Sequence, residues 1–118
     1  MHTSYFANLK NVKNPLSISG KAPEWYTGPQ FKILSPKYRF FRDYKDGNID
    51  QLGYTEQFLD QVLKPLDPQS TYDYLITTYG EDVTLLCYEK PGDFCHRHIV
   101  ALWFEMNLGV KVSEIPRP

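Results

Sequence analysis

The chain has 118 residues, a formal net charge of −1, and 42% hydrophobic and 23% charged residues, which suits one soluble globular domain with its own core. This balance excludes the global basic field of a nucleic-acid binder. No apolar run approaches the roughly 18 residues of a membrane span, so no membrane association is expected. The start of the chain lacks the apolar region of a signal peptide, and a cytoplasmic protein is expected. The two cysteines are too few for a disulfide scaffold, and a reducing compartment would keep them as thiols, with transient pairing open to them if a strand end and a helix start bring them close.

In chain order, Thr3 to Ala7 reads as a first strand and Leu16 to Ser19 as a second, with Ser17 and Ser19 on one face. Between Gly20 and Pro29 runs a long connection with breakers at both ends. Its aromatic pair, Trp25 and Tyr26, and its Lys21 are candidates to cover a pocket; the plainer expectation is an ordered surface loop with Trp25 packed down on the core. Gln30 to Leu34 predicts one helical turn. Tyr38 to Tyr44 suits a strand with Phe40 and Phe41 on opposite sides, and Asp46-Gly47-Asn48 a turn. Thr55 is the expected N-cap of a helix over Glu56 to Lys64, with Phe58, Leu59, Val62 and Leu63 as its core stripe. Ser70 to Tyr79 predicts another helix, with Tyr72, Leu75, Ile76 and Tyr79 on one face.

The most informative stretch is Val83 to Gly109. Val83 to Tyr88 is a short apolar run rich in strand formers, typical of a strand covered on both faces. Pro91-Gly92-Asp93 makes a turn, and Asp93 is the expected N-cap of a helix carrying Ile99, Leu102, Trp103 and Met106 as its apolar stripe. Gly109 fits the position just past the helix end, and Val110 to Ile115 predicts a last strand. Strands alternating with helices give an α/β class: a single small Rossmann-like domain, residues 1–118, with a mainly parallel sheet flanked by helices.

The first turn of that last helix is anomalous. A helix N-terminus carries partial positive charge and favours acids, yet this one receives His96, Arg97 and His98. Free N–H groups beside an arginine form an anion site, unless Asp93 and Glu89 simply neutralise the cluster. In open parallel sheets ligands bind beyond the carboxyl ends of the strands, where the connection from Cys87 to Arg97 lies.

The segment from Leu85 to Ala101 resembles the signature of the bacterial domain-of-unknown-function 488 family: an apolar strand ending Leu-Leu-Cys-x-Glu, a short turn, then Cys-His-Arg opening a helix. Cys87, Glu89, Cys95, His96 and Arg97 carry the resemblance, which covers about the last third of the chain. It implies a small α/β cytoplasmic protein. Members commonly carry an Asp-Val-Arg motif at an early strand, followed by a Pro-x-Ser-like segment. Leu16 to Ser19 and Lys21-Ala22-Pro23 stand in the comparable region without that arginine, which marks a divergent branch.

Three kinds of chemistry suit these residues. The leading expectation is binding of a small anionic or nucleotide-like ligand at the Cys95-His96-Arg97 helix start, with Arg97, Glu89, Cys87 and Lys21 as binding residues. The alternative is an enzyme in which Cys95, activated by the helix N-terminus, is a nucleophile or redox thiol and His96 moves protons. A metal site from Cys87, Cys95, His96 and His98 has the right donor types. Its spacing is not a paired Cys-x2-Cys, however, and His96 and His98 point to different sides of a regular helix, so no metal is assigned from the sequence.

Overall fold

The structure is a computed structural model and describes residues 1–116. Its frame is a four-stranded, all-parallel sheet in the order β2-β3-β1-β4, with β1 at His2–Tyr5, β2 at Pro15–Ser17, β3 at Thr84–Cys87 and β4 at Ser113–Glu114. The helices are α1 (Tyr38–Lys45), α2 (Gln51–Phe58), α3 (Pro68–Tyr79) and α4 (His96–Leu108). This is the α/β architecture expected from the alternation of elements. No helix among the described residues is long and apolar enough to cross a membrane.

β3 is the spine of the sheet. Leu85 and Leu86 are both fully buried but enter different clusters. Neighbouring strand residues point to opposite faces, so apolar residues on both sides make a strand covered on both faces. Leu85 joins the main core with Leu16, Ile18, Phe58, Val100 and Phe104. Leu86 joins a smaller one with Phe6 and Tyr26. Tyr5 pairs with Cys87, and Ser17 with Leu86, so β1, β2 and β3 all end at one edge of the sheet.

Several elements differ from the sequence reading, for physical reasons. Tyr38 to Tyr44 is helical, not a strand. Its aromatic alternation mimics a strand, but Phe40 is buried against Tyr54 and Phe58, with ring centroids 5.3 and 6.4 Å away. Tyr44, one turn on, meets Tyr54 at 5.2 Å. Tertiary packing thus overrides local propensity.

α2 begins earlier than Thr55: Asp50 accepts a hydrogen bond from the Gly53 N–H at 2.8 Å, and the Thr55 hydroxyl donates back to the Gln51 carbonyl. The helix then widens into a π turn over Leu59–Leu63, which leaves Leu59 exposed while Val62 and Leu63 stay buried. α3 starts at Pro68, capped by Asp67 on Ser70 N–H at 2.8 Å. Leu75 is fully buried, with Tyr72, Ile76 and Tyr79 packed beside it, as expected.

In α4 the inner face is His96, Arg97, Val100, Ala101 and Phe104, not the stripe through Leu102 and Met106, which are exposed. Cys95, not Asp93, is the N-cap residue. Gly109 takes the left-handed conformation that ends the helix (φ +68°), as expected. Trp25 lies exposed and only edges onto Phe6, while its neighbour Tyr26 is the buried member of the pair.

Candidate functional site

Beyond the carboxyl ends of β2 and β3, the chain encloses a cavity of about 650 Å³. Its walls are mostly apolar and rich in aromatic rings, with Phe41 and Tyr44 from α1, Tyr54 from α2, and Phe94 from the loop before α4. Ser19, Cys87, Cys95 and His96 add the polar and sulfur groups, and Lys21, Lys45 and Glu89 the charges. Five of the six residues singled out from the sequence therefore line one cavity: Lys21, Cys87, Glu89, Cys95 and His96. Arg97 does not.

Arg97 points the other way. It is the largest fully buried side chain among the described residues, and its donors are taken by the protein. Nε and Nη2 reach the two carboxylate oxygens of Glu114 at 3.1 and 3.0 Å. Nη1 donates to the Cys87 sulfur at 3.0 Å and to the Glu89 carbonyl. Thr3 Oγ1 donates to the same carboxylate at 2.6 Å. The guanidinium thus ties the end of β3 to β4 and to β1. A buried ion pair with fork geometry is what allows a full charge at zero exposure. The sequence anomaly at the first turn of α4 is resolved by this partner, 17 residues downstream, and not by a nearby acid.

His96 is held in one tautomer. Its Nε2 lies 2.8 Å from the Ile18 carbonyl, which can only accept, so Nε2 carries the hydrogen. Burial pushes the imidazole down to about 4, against the carbonyl contact that favours its charged form. The neutral ring therefore presents the lone pair of Nδ1, which faces Cys95 Sγ at 3.9 Å. Phe58 packs against the ring with centroids 5.5 Å apart.

The two cysteines of the chain meet here. Cys87 ends β3, Cys95 caps α4, and both are buried. Their sulfurs are bonded to each other across a Cα–Cα separation of 7.2 Å. Cys87, Cys95 and His96 each bring one donor atom, and these lie within 4.8 Å of one another. His98 is only half-buried, does not line the cavity, and is pushed down by burial and by Arg97.

At the mouth, Lys45 Nζ sits 3.9 Å from a Glu89 oxygen and 5.4 Å from the centre of the Phe41 ring. Tyr88 donates its hydroxyl to the Lys21 carbonyl at 2.6 Å, fixing that loop over the end of β3. Desolvation raises the Tyr54 phenol, with Glu89 adding to the effect, so Tyr54 is a neutral wall at neutral pH.

Sequence reasoning missed the aromatic walls and the role of Ser19. The i, i+4 pair Phe40 and Tyr44 was the available sign that α1 is a helix facing inward. The Ser19 hydroxyl is the one buried side-chain polar atom among the described residues without a partner. Such groups are rare enough to need a reason, and this one lines the cavity.

No curated protein and no solved structure matches the chain. A family model described as DUF488-N3a, active DUF488-N3 subclade, matches residues 8–108. That span reaches well past the signature around β3 and α4 into the front half, where the Asp-Val-Arg motif is absent. The chain therefore belongs to the DUF488 family, within the subclade described as active DUF488-N3.

Proposed function

We propose that the cavity binds a small anionic ligand with a flat, ring-like body, a nucleotide-like molecule being the best fit. The observation that carries this reading is a largely apolar cavity of about 650 Å³ with aromatic walls, whose unpartnered polar group, Ser19 Oγ, is buried and whose cations, Lys21 and Lys45, are exposed at the mouth. Apolar walls with a few convergent polar groups are the general form of small-molecule sites. Tyr44, Tyr54 and Phe94 supply faces on which a ring stacks. The lysines take the anionic group in place of Arg97, whose donors are spent on Glu114, Cys87 and Glu89. Ser19 gains in the ligand the hydrogen-bond partner it lacks. In the cytoplasmic setting that forms part of this proposal, Cys87 and Cys95 are thiols.

The test is a thermal-shift series on the reduced protein with nucleoside monophosphates, the matching nucleosides and inorganic phosphate. A shift is expected for at least one monophosphate, weaker for its nucleoside and absent for phosphate. The double variant Lys21→Ala, Lys45→Ala should remove the difference between monophosphate and nucleoside. Equal shifts for all monophosphates and for phosphate alone, or none for any, would reject the reading.

A further inference from the structure

We infer that the reduced Cys87–Cys95 pair and His96 form a three-ligand site for a divalent transition ion of the zinc type, with its remaining position open to the cavity. The donors are two sulfurs and an imidazole nitrogen, all within 4.8 Å of one another. Two thiolates and one neutral imidazole suit zinc, and three protein ligands with one open position is the pattern of its reactive sites. This goes beyond the ligand reading and does not depend on it.

Three further observations support it. First, His96 has the outer-shell contact of a metal ligand. Its Nε2–H is anchored on the Ile18 carbonyl at 2.8 Å, and Nδ1 is left bare on the side of the sulfurs. Ligating histidines almost always donate their second N–H in this way.

Second, Arg97 Nη1 donates to the Cys87 sulfur at 3.0 Å, a contact that stabilises a thiolate. Two thiolates, one divalent ion and the Arg97–Glu114 pair leave the buried cluster without net charge. Two buried thiolates alone would not.

Third, the Cα atoms of Cys87 and Cys95 stand 7.2 Å apart, wider than the span of about 4.4–6.8 Å usual for a disulfide. Two sulfurs at about 2.3 Å from a shared tetrahedral ion sit farther apart than bonded sulfurs do, and a wider Cα separation accommodates them.

The ion and the disulfide belong to two states of one pair. Two equivalents of a small thiol reductant cleave the Cys87–Cys95 bond, leaving two protonated cysteines and the reductant as its own disulfide. A divalent ion then binds both sulfurs and releases both thiol protons. In the ion-bound state Cys95 is a ligand and not a free nucleophile. The open position faces the cavity that Ser19 also lines, so an oxygen or nitrogen donor can enter beside the Ser19 hydroxyl.

The experiment uses untagged protein, reduced with a small thiol, stripped with a chelator and desalted without air, then titrated with cobalt(II). Saturation at one ion per chain is expected, with a sulfur-to-cobalt charge-transfer band in the near ultraviolet and intense visible bands of four-coordination. Added zinc should bleach both. Cys87→Ser and Cys95→Ser should each lose most of the charge-transfer band, and His96→Ala should weaken cobalt binding by about tenfold or more. Met106→Ala, on the exposed outer face of α4, should leave the spectrum unchanged. Imidazole added to the loaded wild type should shift the visible bands, reporting the open position.

The readout on wild type does not depend on any variant folding. Reduced wild-type protein that gives no charge-transfer band would overturn the inference. So would a band that survives in both serine variants. Reoxidation to the disulfide at the same rate with and without zinc would identify the pair as a redox couple instead.

Discussion

Replacing Glu114 with glutamine leaves the shape of the site almost unchanged but removes the one carboxylate among the described residues that holds the fully buried Arg97. Breaking a buried ion pair by removing one charge costs about 3–5 kcal/mol, because the other charge stays behind uncompensated. Glu114 retains about a quarter of its side-chain exposure, so water can reach the carboxylate side and relieve part of that. Glutamine also keeps one acceptor for the guanidinium. The expected loss is therefore about 2–3 kcal/mol.

Urea unfolding of the reduced protein reads this directly. With a slope of about 1.5 kcal/mol per molar, the midpoint should fall by about 1.3–2 M. Arg97→Ala should cost at least as much, since it also leaves a void and strips Cys87 and the Glu89 carbonyl of their donor. The double variant should be less destabilised than the sum of the two, as expected of residues in contact. Losses below about 0.5 kcal/mol for both single variants, adding without coupling, would be those of ordinary surface positions. The guanidinium would then be free to meet a ligand, as the sequence alone suggests.

Other consequences are as specific. Phe58→Ala removes a fully buried ring that touches Phe40, Tyr54 and the His96 imidazole; a loss of about 3–5 kcal/mol in the same urea assay is expected. The Tyr54 phenol is raised in the folded protein by desolvation, so its contribution is fully present below the ordinary tyrosine range and is lost as the pH climbs above it. Stability of wild type should therefore fall more steeply in alkali than that of Tyr54→Phe, followed by circular dichroism; identical curves would refute the burial argument. Lys45 and Glu89 are both partly exposed and 3.9 Å apart, which limits their pair to about 1 kcal/mol or less, so Lys45→Ala should leave the urea midpoint nearly unchanged while weakening any anionic ligand. Gly109→Ala forces a side chain into the left-handed region (φ +68°) and should cost about 1 kcal/mol.

The parts of this protein legible in its sequence are those fixed by local chemistry. Val83 to Tyr88 reads as a doubly covered strand because every residue from Thr84 to Cys87 is buried. Gly109 reads as a helix stop because only glycine adopts its backbone freely. The convergence of Cys87, Glu89, Cys95 and His96 is legible from the strand–turn–helix spacing, and the cavity lies at the sheet edge where parallel topology puts it. What failed was decided at long range. Tyr38 to Tyr44 alternates like a strand, and only the contact of Phe40 with α2 makes it a helix. Arg97 looks like a ligand contact in the first turn of α4, and only Glu114, on the next strand, turns it inward. No local pattern encodes that Tyr54 and Phe94 come within 5.2 Å of each other to form a wall.

The most direct test of the cavity as the binding site is amide chemical-shift mapping of the reduced protein during titration with a nucleoside monophosphate that raises its melting temperature. The account predicts perturbations concentrated at Ser19 to Lys21, in α1 from Tyr38 to Lys45, and at Phe94 to His96, with little change around Glu114. Perturbations centred on the outer face of α4 at Leu102 and Met106, or spread evenly over the surface, would contradict it.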